Sequence, residues 1–531
     1  MEVLQNEQWL LSLGTFLPLA GVLVMLFIPK REESLVKGTA IVTAMATLVV
    51  GVYTLAKFDY GQAAKQQFFT TNDWIRPIKA TYTLGLDGIS LPLYLLSMVI
   101  TLLVMVYSWD HVPSPGNPKA FFILMLVLQT GMAGTFVAQD LILFFVFFEL
   151  VLLPMYFMIG VWGGDNRQYA SLKFFLYTMF GSALMLVSFI ALFVITKNNS
   201  ATPELASFKF QWFLENGAGV AKNTAIWIFA GMFIGFAVKV PMFPFHTWLP
   251  DAHTEAPTQG SVILAAILLK LGTYGFVRIA LPFLPQAAVK WAPIIGVLAV
   301  IGIIYGALGC LAQSDMKRLI AFSSVAHMGF VMLGISTLTT LGIDAAIFGM
   351  VAHGLITGML FFVAGSVKER YHTLQISRLS GMLKQMPRLG WILGFCAMAS
   401  LGLPGLAGFW GEFPAILSAY SPADGLSLAL FRTLMVVAAI GTVLAASYLL
   451  WLYQRTAFGE PSAEFSGHSH AHAAGAAAND EHHDDIHDVT IFEWIAWTPL
   501  LIAILVFGVY PQLMFKIMDP AVDQLTAVFR K

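Results

Sequence analysis

Cysteine is almost absent from this chain, two in 531 residues, and charge is scarce, with Asp, Glu, Lys and Arg together making up 11%. Cys310 and Cys396 lie in separate apolar runs without metal-site spacing. They read as small core residues, which argues against an attached haem or iron–sulfur cluster. No glycine-rich turn follows a strand pattern, so a dinucleotide site is not indicated. The formal net charge is −1, with no basic tail and no basic–aromatic platform, which sets nucleic-acid binding aside. The first apolar run does not have the pattern of a cleavable leader. The first apolar run follows acidic residues and precedes Pro29-Lys30-Arg31, the reverse of a signal peptide's charge order, so it reads as a retained helix.

What remains is apolar: 58% of residues are hydrophobic, the composition of a polytopic all-α membrane protein. Runs long enough to cross a bilayer lie at about 9–28, 37–56, 90–109, 120–138, 140–162, 171–196, 224–242, 258–282, 291–310, 317–336, 342–366, 389–420, 428–453 and 490–511. The pattern predicts about 14 transmembrane helices. The runs 120–138 and 140–162 are nearly continuous, split only at Ala138-Gln139-Asp140. Basic residues such as Lys30, Arg31, Lys119, Arg167, Lys317, Arg318, Lys368 and Arg370 then gather in loops of one side, which places both termini outside. The longer connections 57–87 and 197–223 read as small extramembrane structures. The tail after Pro511 has apolar residues at helical spacing and reads either as an interfacial helix or as a docked terminal one.

The costliest feature is Lys239, at the end of an apolar run broken by Pro241, Pro244, Pro250 and Pro257. Pro241 cannot donate to the carbonyl of Ala237, so backbone polar groups are freed at membrane depth and must be covered by protein or water. A lysine there costs about 2.5–3.5 kcal/mol on insertion scales, which makes a functional role the default reading; snorkelling to the surface is the bland one. Glu149, Lys270, His327, His353 and Glu412 also fall inside apolar runs. In a low dielectric, each such group's hold on a proton depends on the charge of its neighbours, which is the physical basis of a proton relay. Histidine exchanges protons near neutrality and suits an intermediate station, although either histidine alone fits a packing role equally well. Around Glu412, Pro404, Gly405, Gly408, Gly411 and Pro414 interrupt a second apolar run. Two broken helices five helices apart suit inverted repeats whose discontinuous helices meet near the midplane.

One stretch departs from all this. His468, His470 and His472, then His482, His483 and His487 among aspartates, form a polar low-complexity segment. It reads either as a metal-binding tract or as a solvated linker.

Several motifs together resemble a known family: Phe147-Phe-Glu149-Leu, Val238-Lys239-Val-Pro241, Pro244-Phe-His246-Thr-Trp248-Leu-Pro250-Asp251-Ala-His253, Leu269-Lys270-Leu-Gly-Thr-Tyr274-Gly, Asp315-Met-Lys317-Arg, and Gly408-Phe-Trp-Gly-Glu412-Phe. Over nearly its whole length the chain is similar to the antiporter-like membrane subunits of bacterial respiratory complex I, the NADH:quinone oxidoreductase. The acidic residue at 412 resembles the M-type, whose siblings usually carry lysine there.

The resemblance implies one antiporter-like domain over 1–531, with a first repeat at about 120–282, a second at about 291–453, a His-rich loop at 460–488 and a terminal helix and tail at 490–531. It also implies discontinuous helices at 224–260 and 389–420. By match, Glu149 and Lys239 form the first ion pair, Lys270 is the central relay, His327 and His353 link the halves, and Glu412 is the terminal station. The implied function is translocation of protons across a bacterial inner membrane. Sibling antiporter-like subunits would lie on either side, and NADH, FMN, iron–sulfur clusters and quinone would reside in partner subunits. This chain itself is expected to hold no cofactor and no metal. The rival readings are a subunit of a multisubunit cation/proton antiporter or membrane-bound hydrogenase, and a metal transporter.

Overall fold

The computed structural model describes residues 7–465 and 486–530. Most of the His-rich stretch at 460–488 therefore lies outside the described residues.

Twelve helices among the described residues are long and apolar enough to cross a membrane. They are not equally enclosed. Thr258–Phe283, Met316–Ser336 and Thr340–Tyr371 are almost wholly buried within the protein, whereas Glu33–Lys57, Leu428–Ala457 and Ile491–Val509 keep most of their surface outward. A helix that is apolar all round but buried on one side only needs lipid or another subunit on the other. The three enclosed helices carry Lys270, His327 and His353.

Two predicted spans are not among the twelve, and each belongs to a helix that the structure interrupts. The first runs through Lys222–Lys239, a non-helical link, and Trp248–Glu255. Pro241 removes one donor, and the freed carbonyls find others: Met242 N donates to Ala237 O at 2.9 Å, and the Trp248 indole donates to Val238 O at 2.9 Å. The second runs through Pro387–Ser400 and Ala407–Ser418, joined by a link in which Gly402 and Gly405 take positive φ values of 79° and 94°. Residues other than glycine rarely adopt that backbone. The second half packs against Thr340–Tyr371 with no room for a side chain, since a Cβ on Gly411 would stand 2.5 Å from the Gly349 Cα.

The nearly continuous pair of runs divides where the sequence splits it. Asp140 caps the helix that starts at Leu141: its Oδ1 accepts from Ile142 N and Leu143 N, and its Oδ2 accepts from both the amide and hydroxyl of Thr81. Thr81 lies on an antiparallel hairpin, Gln67–Ile75 with Ala80–Leu86, so the 57–87 segment forms a small structure of its own. The tail forms a docked helix, Gln512–Thr526, with Met514, Met518, Ala521 and Val522 buried and Phe515 stacked on Phe348 at 5.1 Å.

Candidate proton-relay site

The helix Thr258–Phe283 is not a plain α-helix: the turns at Leu264–Leu268 and Phe276–Ala280 are π-helical. A π turn leaves carbonyls out of the regular ladder and often marks a functional position. Lys270 sits between the two turns and is completely buried. Its ammonium donates to the carbonyl of Ala265, in the first π turn, and stands 2.7 Å from His353 Nδ1. A charged lysine can only donate, so a charged Lys270 requires an accepting Nδ1 and a His353 proton on Nε2.

His353 Nε2 is buried with no hydrogen-bond partner. It lines a small cavity together with His327, Thr357, Ser400 and Glu412. The volume open to water centres is about 20 Å³, above the roughly 10–15 Å³ that one water requires. The rings of His353 and His327 are 6.0 Å apart across it. The cavity thus has room for one water between His353 Nε2 and the His327 ring. On the far side, His327 Nδ1 meets Glu412 Oε1 at 2.6 Å, and its Nε2 lies within reach of Ser400 Oγ (3.1 Å) and Tyr448 OH (3.2 Å). Lys270, His353, His327 and Glu412 thus form one line, broken only by a gap of one water's size.

The other two predicted residues are arranged differently. Lys239 is buried, yet its ammonium has no hydrogen-bond partner and rests against aromatic faces, 5.0 Å from the Phe148 ring centroid and 5.9 Å from that of Phe174. Glu149 lies on the same helix as Phe148, beside the Ser182 hydroxyl, near enough for its charge and that of Lys239 to act on each other. The two form no salt bridge in this state. Lys239 is joined to the Lys270 helix by packing: a Cβ on Gly272 would come within 3.0 Å of the Lys239 Cβ.

The structure adds residues that sequence reasoning passed over. His253 is fully buried with both ring nitrogens unpartnered, stacked on Phe361 at 4.4 Å, and close enough to Lys270 and Lys317 to feel their charges. It belongs to the same broken-helix motif as Lys239, so position was a usable signal. Tyr448 had none, since it comes from a helix 121 residues away from His327. Arg370 and Glu493 form a buried bidentate pair, with Nη1–Oε1 at 3.0 Å and Nη2–Oε2 at 2.7 Å, tying Thr340–Tyr371 to the last span. They stand at helix ends, where a charge in an apolar run is no surprise.

Fold and site define a polytopic membrane protein with interrupted helices around a buried line of ionisable side chains. The family described as NADH:quinone oxidoreductase/Mrp antiporter matches residues 138–441, and the amino-terminal family of NADH-ubiquinone oxidoreductase chain 4 matches residues 13–135. The chain belongs to the NADH:quinone oxidoreductase/Mrp antiporter family of membrane proteins. Within it, the chain is 40% identical to NADH-quinone oxidoreductase subunit M of Rhodobacter capsulatus, over 98% of this chain and 96% of that one. It is 38% identical to the subunit M of Rickettsia conorii, over 98% and 99%. Among solved structures it resembles a chain of respiratory complex I from Thermus thermophilus, with a TM-score of 0.82 at 26% identity, covering 98% of this chain and all of that one. The Mrp complex from Dietzia supplies a chain of the same fold, with a TM-score of 0.81 at 18% identity over 98% of each chain.

Proposed function

We propose that this chain is the M-type proton-translocating membrane subunit of a bacterial NADH:quinone oxidoreductase, working in the inner membrane between sibling antiporter-like subunits. NADH, FMN, iron–sulfur clusters and quinone belong to partner subunits, and this chain carries the proton path. Its halves are inverted repeats, 120–282 and 291–453, each contributing one interrupted helix. The observation that carries the reading is the line from Lys270 through His353 and His327 to Glu412, two hydrogen-bonded pairs whose imidazole rings stand 6.0 Å apart across a small cavity inside an apolar bundle.

A charge change arriving from a neighbouring subunit alters the interaction of Glu149 with Lys239. Because Lys239 packs directly on the Lys270 helix and has no hydrogen-bond partner, its charge acts on that region with little local compensation. Lys270 gives its proton to the His353 side, the cavity water passes it to His327, and Glu412 receives it. The second interrupted helix places Glu412 beside a flexible glycine link, through which the proton leaves.

The test is proton translocation per electron in the assembled enzyme carrying Glu412→Gln. The substitution keeps the shape and removes the terminal acceptor. Proton yield falls while the complex still assembles; an unchanged yield overturns the assignment.

A further inference from the structure

Where the helix Thr340–Tyr371 ends, away from the relay, one histidine and two carboxylates meet. Ligand atoms of His111, Glu369 and Glu493 all lie within 4.8 Å of one another. Glu369 is on that helix, Glu493 is near the start of the last span, Ile491–Val509, and His111 follows the helix Ser90–Tyr107. Three elements distant in sequence therefore converge here.

The His111 ring is held from behind. It lies flat on Tyr107, with 4.2 Å between centroids and 5° between planes, and its Nδ1 stands 2.8 Å from the Tyr107 carbonyl. A carbonyl only accepts, so Nδ1 carries a proton and Nε2 is the nitrogen left to bind. Metal-bound histidines are commonly oriented in this way, by a backbone carbonyl on the other ring nitrogen. Nε2 stands 3.2 Å from Glu369 Oε2, and Glu369 Oε1 accepts from the Tyr107 hydroxyl at 3.3 Å. With a neutral imidazole, that contact sets a nitrogen lone pair against a carboxylate. A shared proton or a metal cation relieves it. Two ligands bound at about 2.0–2.1 Å in a tetrahedron stand about 3.3–3.4 Å apart, so the pair already has the span of one edge of a zinc site.

The surrounding charge also calls for a cation. Glu369 and Glu493 are set against Arg370, which leaves one negative charge uncompensated while His111 is neutral. Arg370 directs its donors to Glu493 and to the carbonyls of Ser366, His487 and Asp488. Glu493 accepts in addition from Ser366 Oγ and Thr490 N, so its oxygens are satisfied and it acts through its charge. Glu369, with 42% of its side chain exposed, opens the pair to solvent.

We propose that His111 Nε2 and the Glu369 carboxylate bind a divalent transition-metal ion of the zinc class, with water completing its shell and Glu493 supplying negative charge beside it. One imidazole and one carboxylate suit zinc, cobalt or nickel, whereas magnesium and calcium favour all-oxygen shells. The ion takes the place of the proton shared by His111 and Glu369, so binding releases that proton and tightens as pH rises. Once bound, it ties the segment after Ser90–Tyr107 to the end of the helix that carries His353. The site stands apart from the relay and does not depend on it.

The test is hydrogen–deuterium exchange on the assembled complex, followed in peptides covering 107–112 and 366–371 while free zinc is buffered from zero to saturation. A ligand that holds the closed form slows exchange through local opening by up to about 100-fold at 100 times its Kd, and both peptides show this slowing. His111→Asn and Glu369→Gln each abolish it, as does a pH of about 5, where imidazole is protonated. Magnesium at the same concentration has no effect. Zinc that leaves both peptides unchanged, that slows them equally in the variants, or that magnesium can replace overturns the site and leaves a plain His–Glu ion pair. If one variant fails to assemble the other decides, and the pH and magnesium measurements need neither.

Discussion

Replacing Lys270 by methionine isolates the relay from the fold. Methionine follows the lysine stem and fills most of its volume, so packing of the enclosed helix is preserved. The change removes the donor to Ala265 O and to His353 Nδ1. Leaving those two acceptors unpartnered costs about 1–3 kcal/mol each, and no longer burying an ammonium offsets about 2.5–3.5 kcal/mol of that, so thermal stability changes little and assembly holds. Transport does not. Without the amine, a proton must cross that stretch unrelayed, at a cost of at least roughly 2.5–3.5 kcal/mol for charge in an apolar interior. Each 1.36 kcal/mol is tenfold in rate, so passage through this chain slows by about 100-fold. The assay is proton uptake into proteoliposomes against NADH oxidation in the same sample. Variant enzyme that assembles and oxidises NADH but translocates its full complement of protons refutes the reasoning.

Lys239→Met removes an ammonium that no hydrogen bond holds, so it leaves thermal stability unchanged or raises it, by up to about 3 kcal/mol, while lowering proton yield; calorimetry and pumping on one preparation check both halves. Trp248→Phe keeps an aromatic ring but orphans the Val238 carbonyl at the first helix break, costing about 1–3 kcal/mol of stability, read as a lowered unfolding temperature.

Much of this architecture could be read from the sequence, and the exceptions have physical causes. Lys239, Lys270 and Glu412 announced themselves because a charge in an apolar run has a definite cost, and the prolines and glycines beside Lys239 and Glu412 marked breaks that the structure contains. The split at Ala138-Gln139-Asp140 was visible because aspartate is both a poor membrane residue and a good helix cap. The contacts that make a line out of separate residues were not visible. Lys270 and His353 are 83 positions apart, and His327 and Glu412 are 85, so no local pattern encodes their pairing. The π turns flanking Lys270 left no mark either, since Leu264–Leu268 is as apolar as any helix core and the one charge in Phe276–Ala280, Arg278, does not encode a π turn. The Asp87–Arg278 ion pair was missed for a related reason: both residues lie near helix ends, where charge is cheap, and they are 191 positions apart. The expected Glu149–Lys239 ion pair is seen with its partners near but apart, an arrangement that only side-chain positions could reveal.

The most direct test of the central claim compares the proton yield of Lys270→Met, Glu412→Gln and the double variant in proteoliposomes. Groups acting in series on one path are non-additive, because a path already blocked cannot be blocked again. The account predicts that the double variant loses no more than the more severe single variant. Losses that multiply in the double variant would place Lys270 and Glu412 on separate paths and contradict the account.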